Sequence, residues 1–116
     1  MRGLARLIGL VSCFFFCVAP AWAETVRLRC EHMSGAFQGN VFSVIVNIDK
    51  GSISEPDAMG NNFVPVQITE QYYSYFHSNE HRRIDRTTGV MYFYGNGGWR
   101  TAFGNPGIVC SRGSVL

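Results

Sequence analysis

A chain of 116 residues, 47% hydrophobic and carrying a formal charge of +2, supplies one small domain and no more. Arg2 and Arg6 account for that charge, and both fall in a segment that reads as an export leader. The remainder is therefore near neutral, which argues against nucleic acid or an anionic membrane surface as partner.

The leader has three parts. Met1 to Arg6 is basic, Leu7 to Val18 is apolar, and Ala21-Trp22-Ala23 sets small residues on either side of a variable one. This plan predicts a signal peptide over residues 1–23 and a single domain over residues 24–116. The apolar run is shorter than the ~20 residues that span a bilayer, so no stable membrane anchor is expected. The expected location is periplasmic or secreted. A competing motif, Leu10-Val11-Ser12-Cys13, matches a lipoprotein box, but it leaves Phe14-Phe15-Phe16-Cys17 as an ill-suited linker to a lipid. Cys13 and Cys17 depart with the leader. Cys30 and Cys110 remain near the two ends of the domain and are predicted to pair in an oxidising compartment.

Beyond Ala23 the hydrophobic period is that of strands. Thr25 to His32 alternates, with Val26, Leu28, Cys30 and His32 on one face. Ser34 to Asn40 reads as a loop with Phe37 folded back as a plug. Val41 to Asp49 puts Phe42, Val44, Val46 and Ile48 on one face, and Asp49-Lys50-Gly51 is hairpin-turn chemistry. Ser52 to Glu55 is a short return strand ended by Pro56, and Asp57 to Asn62 is a polar loop. Phe63 to Thr69 resumes alternation. Pro65 has no N–H for a ladder, which predicts an edge or a bulge there. Tyr72 to His77 is followed by a turn at Ser78-Asn79. Arg82 to Arg86, the turn Thr87-Thr88-Gly89 and Val90 to Tyr94 form a hairpin that needs Gly89 in the left-handed region. Trp99 to Phe103 and Ile108 to Arg112 complete about nine short strands at regular spacing. The predicted fold is all-β, a small antiparallel up-and-down meander with one disulfide. A bridge between the first and last strands is expected to bring the sheet's edges together, which favours a closed or nearly closed barrel over a sandwich.

Few residues suggest chemistry. His77-Ser78-Asn79-Glu80-His81 matches the H-x-x-E-H of inverted zinc peptidases, but that motif works on a helix and its flanks here read as strands. A weaker version has His77 and His81 facing each other across a hairpin as candidate metal ligands. The bland reading is a polar hairpin tip, and no metal or other cofactor is expected. No serine lies in a G-x-S-x-G setting, no cysteine stays free once Cys30 and Cys110 pair, and no carboxylate pair stands out, so no catalytic residue is assigned. The chain carries five tyrosines, two tryptophans and nine phenylalanines, too many for one small core. Tyr73, Tyr75, Tyr92, Tyr94 and Trp99, with Arg82 and Arg86 beside them, are therefore candidates for ligand or partner binding. Arg82, Arg83 and Arg86 also read as a solvated sheet face.

The leader, the near-terminal cysteines and Ile84-Asp85-Arg86-Thr87-Thr88-Gly89 together resemble the small exported β-rich proteins of Gram-negative bacteria. By size and layout the chain is also similar to periplasmic inhibitors of C-type lysozyme. These resemblances imply a non-catalytic binding or interaction module of the cell envelope, one form of which is an enzyme inhibitor. The partner is then an envelope or extracellular protein. The alternative is a carrier that holds a small ligand in the barrel interior.

Overall fold

The computed structural model describes residues 24–113. The predicted signal peptide, its cleavage site and the lipoprotein box lie outside them. Nine strands form one antiparallel sheet: β1 (Thr25–His32), β2 (Val41–Asn47), β3 (Ser52–Ser54), β4 (Val64–Ile68), β5 (Tyr72–His77), β6 (Glu80–Asp85), β7 (Met91–Gly95), β8 (Gly98–Thr101) and β9 (Ile108–Arg112). Their order is β8-β7-β6-β5-β4-β3-β2-β1-β9. Successive strands from β1 to β8 are neighbours, as tight hairpins dictate, and β9 returns to lie beside β1.

The all-β, nearly closed barrel with one disulfide is as expected, but the sheet closes in a different way. Cys30 and Cys110 are cross-strand partners on the adjacent strands β1 and β9 and are bonded to each other. The disulfide thus clamps neighbours, not the sheet's two edges, which are β8 and β9. Closure is made by a bridge between Val90, just before β7, and Val109 of β9. Above that bridge β8 pairs with β7 alone, so the two ends of the sheet part.

Alternation sets the interior. Cys30, Val44, Val46, Ile53 and Met91 have no exposed surface, and Tyr75 and Ile84 retain 2% each. All lie on the inward parity of their strands.

Four local expectations are corrected. Pro65 lies in an interior strand, not at an edge. Val66 donates its N–H to the Gly51 carbonyl (2.9 Å), so the Pro65 nitrogen points the other way, toward β5, whose pairing begins only at Val66. No ladder bond is lost. Residues 56–59 form a helical turn, α1 (Pro56–Met59), within the predicted loop. Proline suits the first helical position, where an N–H has no partner anyway, and Ala58 and Met59 donate to the Glu55 carbonyl at 2.9 and 2.7 Å. Strand β8 ends at Thr101, and Phe103 leaves the strand at φ 61°. Phe37 is 50% exposed and packs its ring on His32 and Phe103 at the surface, so it is not a plug.

Candidate ligand site at the barrel mouth

A cavity of about 410 Å³ lies where β7–β8 and β9–β1 part company. Phe42 of β2, Phe93 of β7, Phe103 of the β8–β9 loop and Ile108 of β9 make its apolar walls. The loop is held over the opening by Ser34. The Ser34 hydroxyl donates to the Phe103 carbonyl (2.9 Å) and accepts from the Gly107 N–H (2.9 Å). His32 stands at the same wall, its ring 5.2 Å from Phe103 and 5.8 Å from Phe42. Its Nδ1 is buried and has no hydrogen-bond partner among the described residues.

The cavity also meets a buried ionic network. Glu55, between β3 and α1, keeps the inward parity of Ile53 and is 4% exposed. Arg82 sits on the inward parity of β6, two residues before Ile84. It donates from Nη1 to both Glu55 carboxylate oxygens, at 2.9 and 2.7 Å. Its Nε and Nη2 donate to Glu80 Oε1 at 3.0 and 2.7 Å. The Tyr75 hydroxyl donates to Glu55 Oε2 in a short hydrogen bond. Both Glu55 oxygens, the Tyr75 hydroxyl and all three Arg82 nitrogens have partners, as burial of charge requires. Burial, reinforced by the Glu55 charge, holds the Tyr75 hydroxyl well above the ordinary phenol pKa. Burial acts to lower the Arg82 pKa, yet the Glu55 charge and the bonds to Glu80 and Glu55 outweigh it and raise the value. The Arg82 guanidinium also lies 5.1 Å from the Phe93 ring centroid, a cation–π contact in the cavity wall. Two further charges line the opening, Asp57 on α1 and Arg100 on β8.

The residues singled out from sequence divide among three places. Tyr75 and Arg82 belong to this network. Tyr73 and Arg86 lie at a second cavity, of about 390 Å³, where the Arg86 guanidinium stands 4.8 Å from the Tyr73 ring and donates to the Thr69 carbonyl (2.7 Å). Asp85 borders it and accepts from the Thr88 and Thr87 backbone N–H groups at 2.9 and 2.8 Å. Those bonds outweigh slight desolvation and hold its carboxyl below the usual range.

Tyr92, Tyr94 and Trp99 are on the outer face. There Arg83, not Arg82 or Arg86, lies against Tyr72 (4.0 Å) and Trp99 (4.2 Å). His81 continues this face, stacked on Phe76 (4.2 Å) and edge-on to Trp99 (4.7 Å). The three arginines therefore do not form one solvated sheet face, because consecutive residues of a strand point to opposite sides.

The histidine pair fails for the same reason. His77 is opposite Glu80 and His81 is opposite Phe76, so the two rings lie on opposite faces of the hairpin. No group of three or more metal-ligating side chains occurs among the described residues. Sequence reading passed over Glu55, Asp57 and the Phe42–Phe93–Phe103 walls. The signal for Glu55 was its inward parity with Ile53; for the walls no local signal exists, since they meet only through sheet closure.

No protein-family model matches this chain, and neither does any curated protein or solved structure. The disulfide is consistent with an oxidising, exported compartment. Among the described residues no helix is long and apolar enough to cross a membrane.

Proposed function

We propose that this chain is a non-catalytic binding module of the periplasm or cell exterior that holds a small ligand in the barrel mouth. The observation that carries this reading is the apolar cavity of about 410 Å³ between the parted ends of the sheet. A concave, mainly apolar site with a few polar groups is the usual form of a small-molecule pocket. The network beside it supports this reading: Glu55, Arg82 and Tyr75 are bonded to one another, which commits these three groups to holding the cavity wall. The leader-like N-terminus and the Cys30–Cys110 bridge support export.

The test is native mass spectrometry of protein recovered from the periplasm, with Ala102→Trp as the control. Ala102 lines the cavity, and an indole at that position is expected to obstruct it. An organic adduct on the wild-type chain that the variant lacks is the expected result. An adduct retained by the folded variant would place the ligand elsewhere.

A second reading, an interaction module or enzyme inhibitor, rests on the outer face of β5–β8. Phe76 and Tyr94 are 60% and 50% exposed there beside the Arg83–Trp99 stack. Exposed aromatics with arginine are the composition of protein-binding hot spots. Under this reading the same spectra show a stoichiometric protein complex that Phe76→Ala and Tyr94→Ala dissolve.

A further inference from the structure

The polar groups of the mouth cavity differ in what they have left to offer. Arg82 is held by two carboxylates, and Glu55 and Glu80 are held by Arg82. Asp57 and Arg100 are different. Both line the cavity, both are exposed, and among the described residues neither makes a side-chain hydrogen bond or an ion pair, with each other or with any third group. They come from separate elements, α1 and β8. The opening thus presents an uncommitted negative charge and an uncommitted positive charge that do not neutralise each other, with Phe42, Phe93, Phe103 and Ile108 below them. The unpartnered Nδ1 of His32 adds a buried polar atom in the same wall, and a buried orphan of this kind marks a place where a partner is missing.

From this arrangement we infer that the ligand is a small apolar zwitterion, of which a free aromatic α-amino acid is the simplest example. The inference rests on the cavity reading above. The ligand's side chain occupies the apolar walls, its carboxylate meets the Arg100 guanidinium, and its ammonium meets Asp57. A simple organic anion leaves Asp57 opposed to its charge, and a simple amine leaves Arg100 opposed. A zwitterion satisfies both, and residues 24–113 balance eight basic against eight acidic side chains, so their net charge steers neither sign preferentially.

The experiment is a set of titrations followed by amide NMR shifts of the cavity residues, using L-phenylalanine, 3-phenylpropionate, 2-phenylethylamine and neutral indole. 3-Phenylpropionate lacks the ammonium and 2-phenylethylamine lacks the carboxylate. Each is expected to bind at least about tenfold more weakly than L-phenylalanine, since a charge-assisted hydrogen bond is lost and one rim charge is opposed. Arg100→Gln should erase the preference over 2-phenylethylamine alone, and Asp57→Asn the preference over 3-phenylpropionate alone. Both residues are exposed, so both variants should retain the wild-type spectrum away from the mouth. If indole shifts the cavity residues and L-phenylalanine binds no better than its single-charge analogues, the zwitterion assignment is wrong and the cavity reading stands. If none of the four probes shifts them, the cavity reading itself falls, and this inference with it.

Discussion

Glu55 is the residue whose environment departs furthest from what its chemistry favours. A carboxylate that is 4% exposed is stable only because three donor contacts replace its water: two from Arg82 Nη1 and one from the Tyr75 hydroxyl. Removing Glu55 leaves the Tyr75 hydroxyl and the Nη1 of Arg82 buried without a partner, with Glu80 alone still holding the rest of the guanidinium. Glu55→Ala is therefore expected to lower unfolding stability by about 3–5 kcal/mol. The double variant Glu55→Met/Arg82→Met, which fills the space with apolar atoms, should recover most of that loss. Urea denaturation of the three proteins at neutral pH checks this; a double variant as unstable as the single one would mean that shape, not charge pairing, sets the cost. Part of this site was legible in the sequence. Ile53 and Glu55 share a parity, as do Arg82 and Ile84, so period-2 alternation alone puts both charges inside. The composition cluster of Arg82, Arg83 and Arg86 masks that parity, because adjacent strand residues point to opposite faces.

At the scale of elements, the turn before β7 does more than reverse the chain. Gly89 has φ 83°, donates its N–H to the Asp85 carbonyl (2.8 Å), and accepts at its own carbonyl from Cys110 N–H (2.7 Å). A β-carbon there would run into the Cys110 carbonyl oxygen. The glycine is thus required twice, for its backbone angle and for the close approach of β9. The first requirement was visible from Thr87-Thr88-Gly89; the second was not, because Cys110 is distant in sequence. Gly97 separates the two effects. It has the same φ of 83°, but nothing lies within 4 Å of its would-be β-carbon. Gly97→Ala should cost about 1–2 kcal/mol, the conformational term alone. Gly89→Ala should cost at least about 1 kcal/mol more, because backbone must shift at the point of closure. Equal midpoint shifts of the two variants in thermal melts would show that β9 accommodates the methyl group freely.

The whole molecule depends on how the sheet's ends are joined. Strand number, hairpin succession and the disulfide partners follow from local periodicity and turn residues, which is why they were readable. The seam was not, since it depends on the register and length of β8 and on where β9 docks, both non-local quantities. β8 is short and ends at Thr101, and closure falls to the Val90–Val109 bridge. Cys110 is next to Val109 on β9 and bonded to Cys30, which holds β9 on β1. The disulfide therefore supports the seam from one strand away, and its loop spans 80 residues of sequence. In the chain-entropy account a loop of that size is worth about 4 kcal/mol, a large share of what a small domain has. Cys30→Ala/Cys110→Ala is expected to lose about that much in urea. The loss should also be unequal in space. Hydrogen exchange should speed up most at β9 and at the Cys110 N–H bonded to Gly89, while the β5–β6 hairpin, on the far side of the barrel, stays protected until global unfolding. Uniform loss of protection across all strands would instead mean that the bridge acts on the unfolded chain alone and that the seam holds without it.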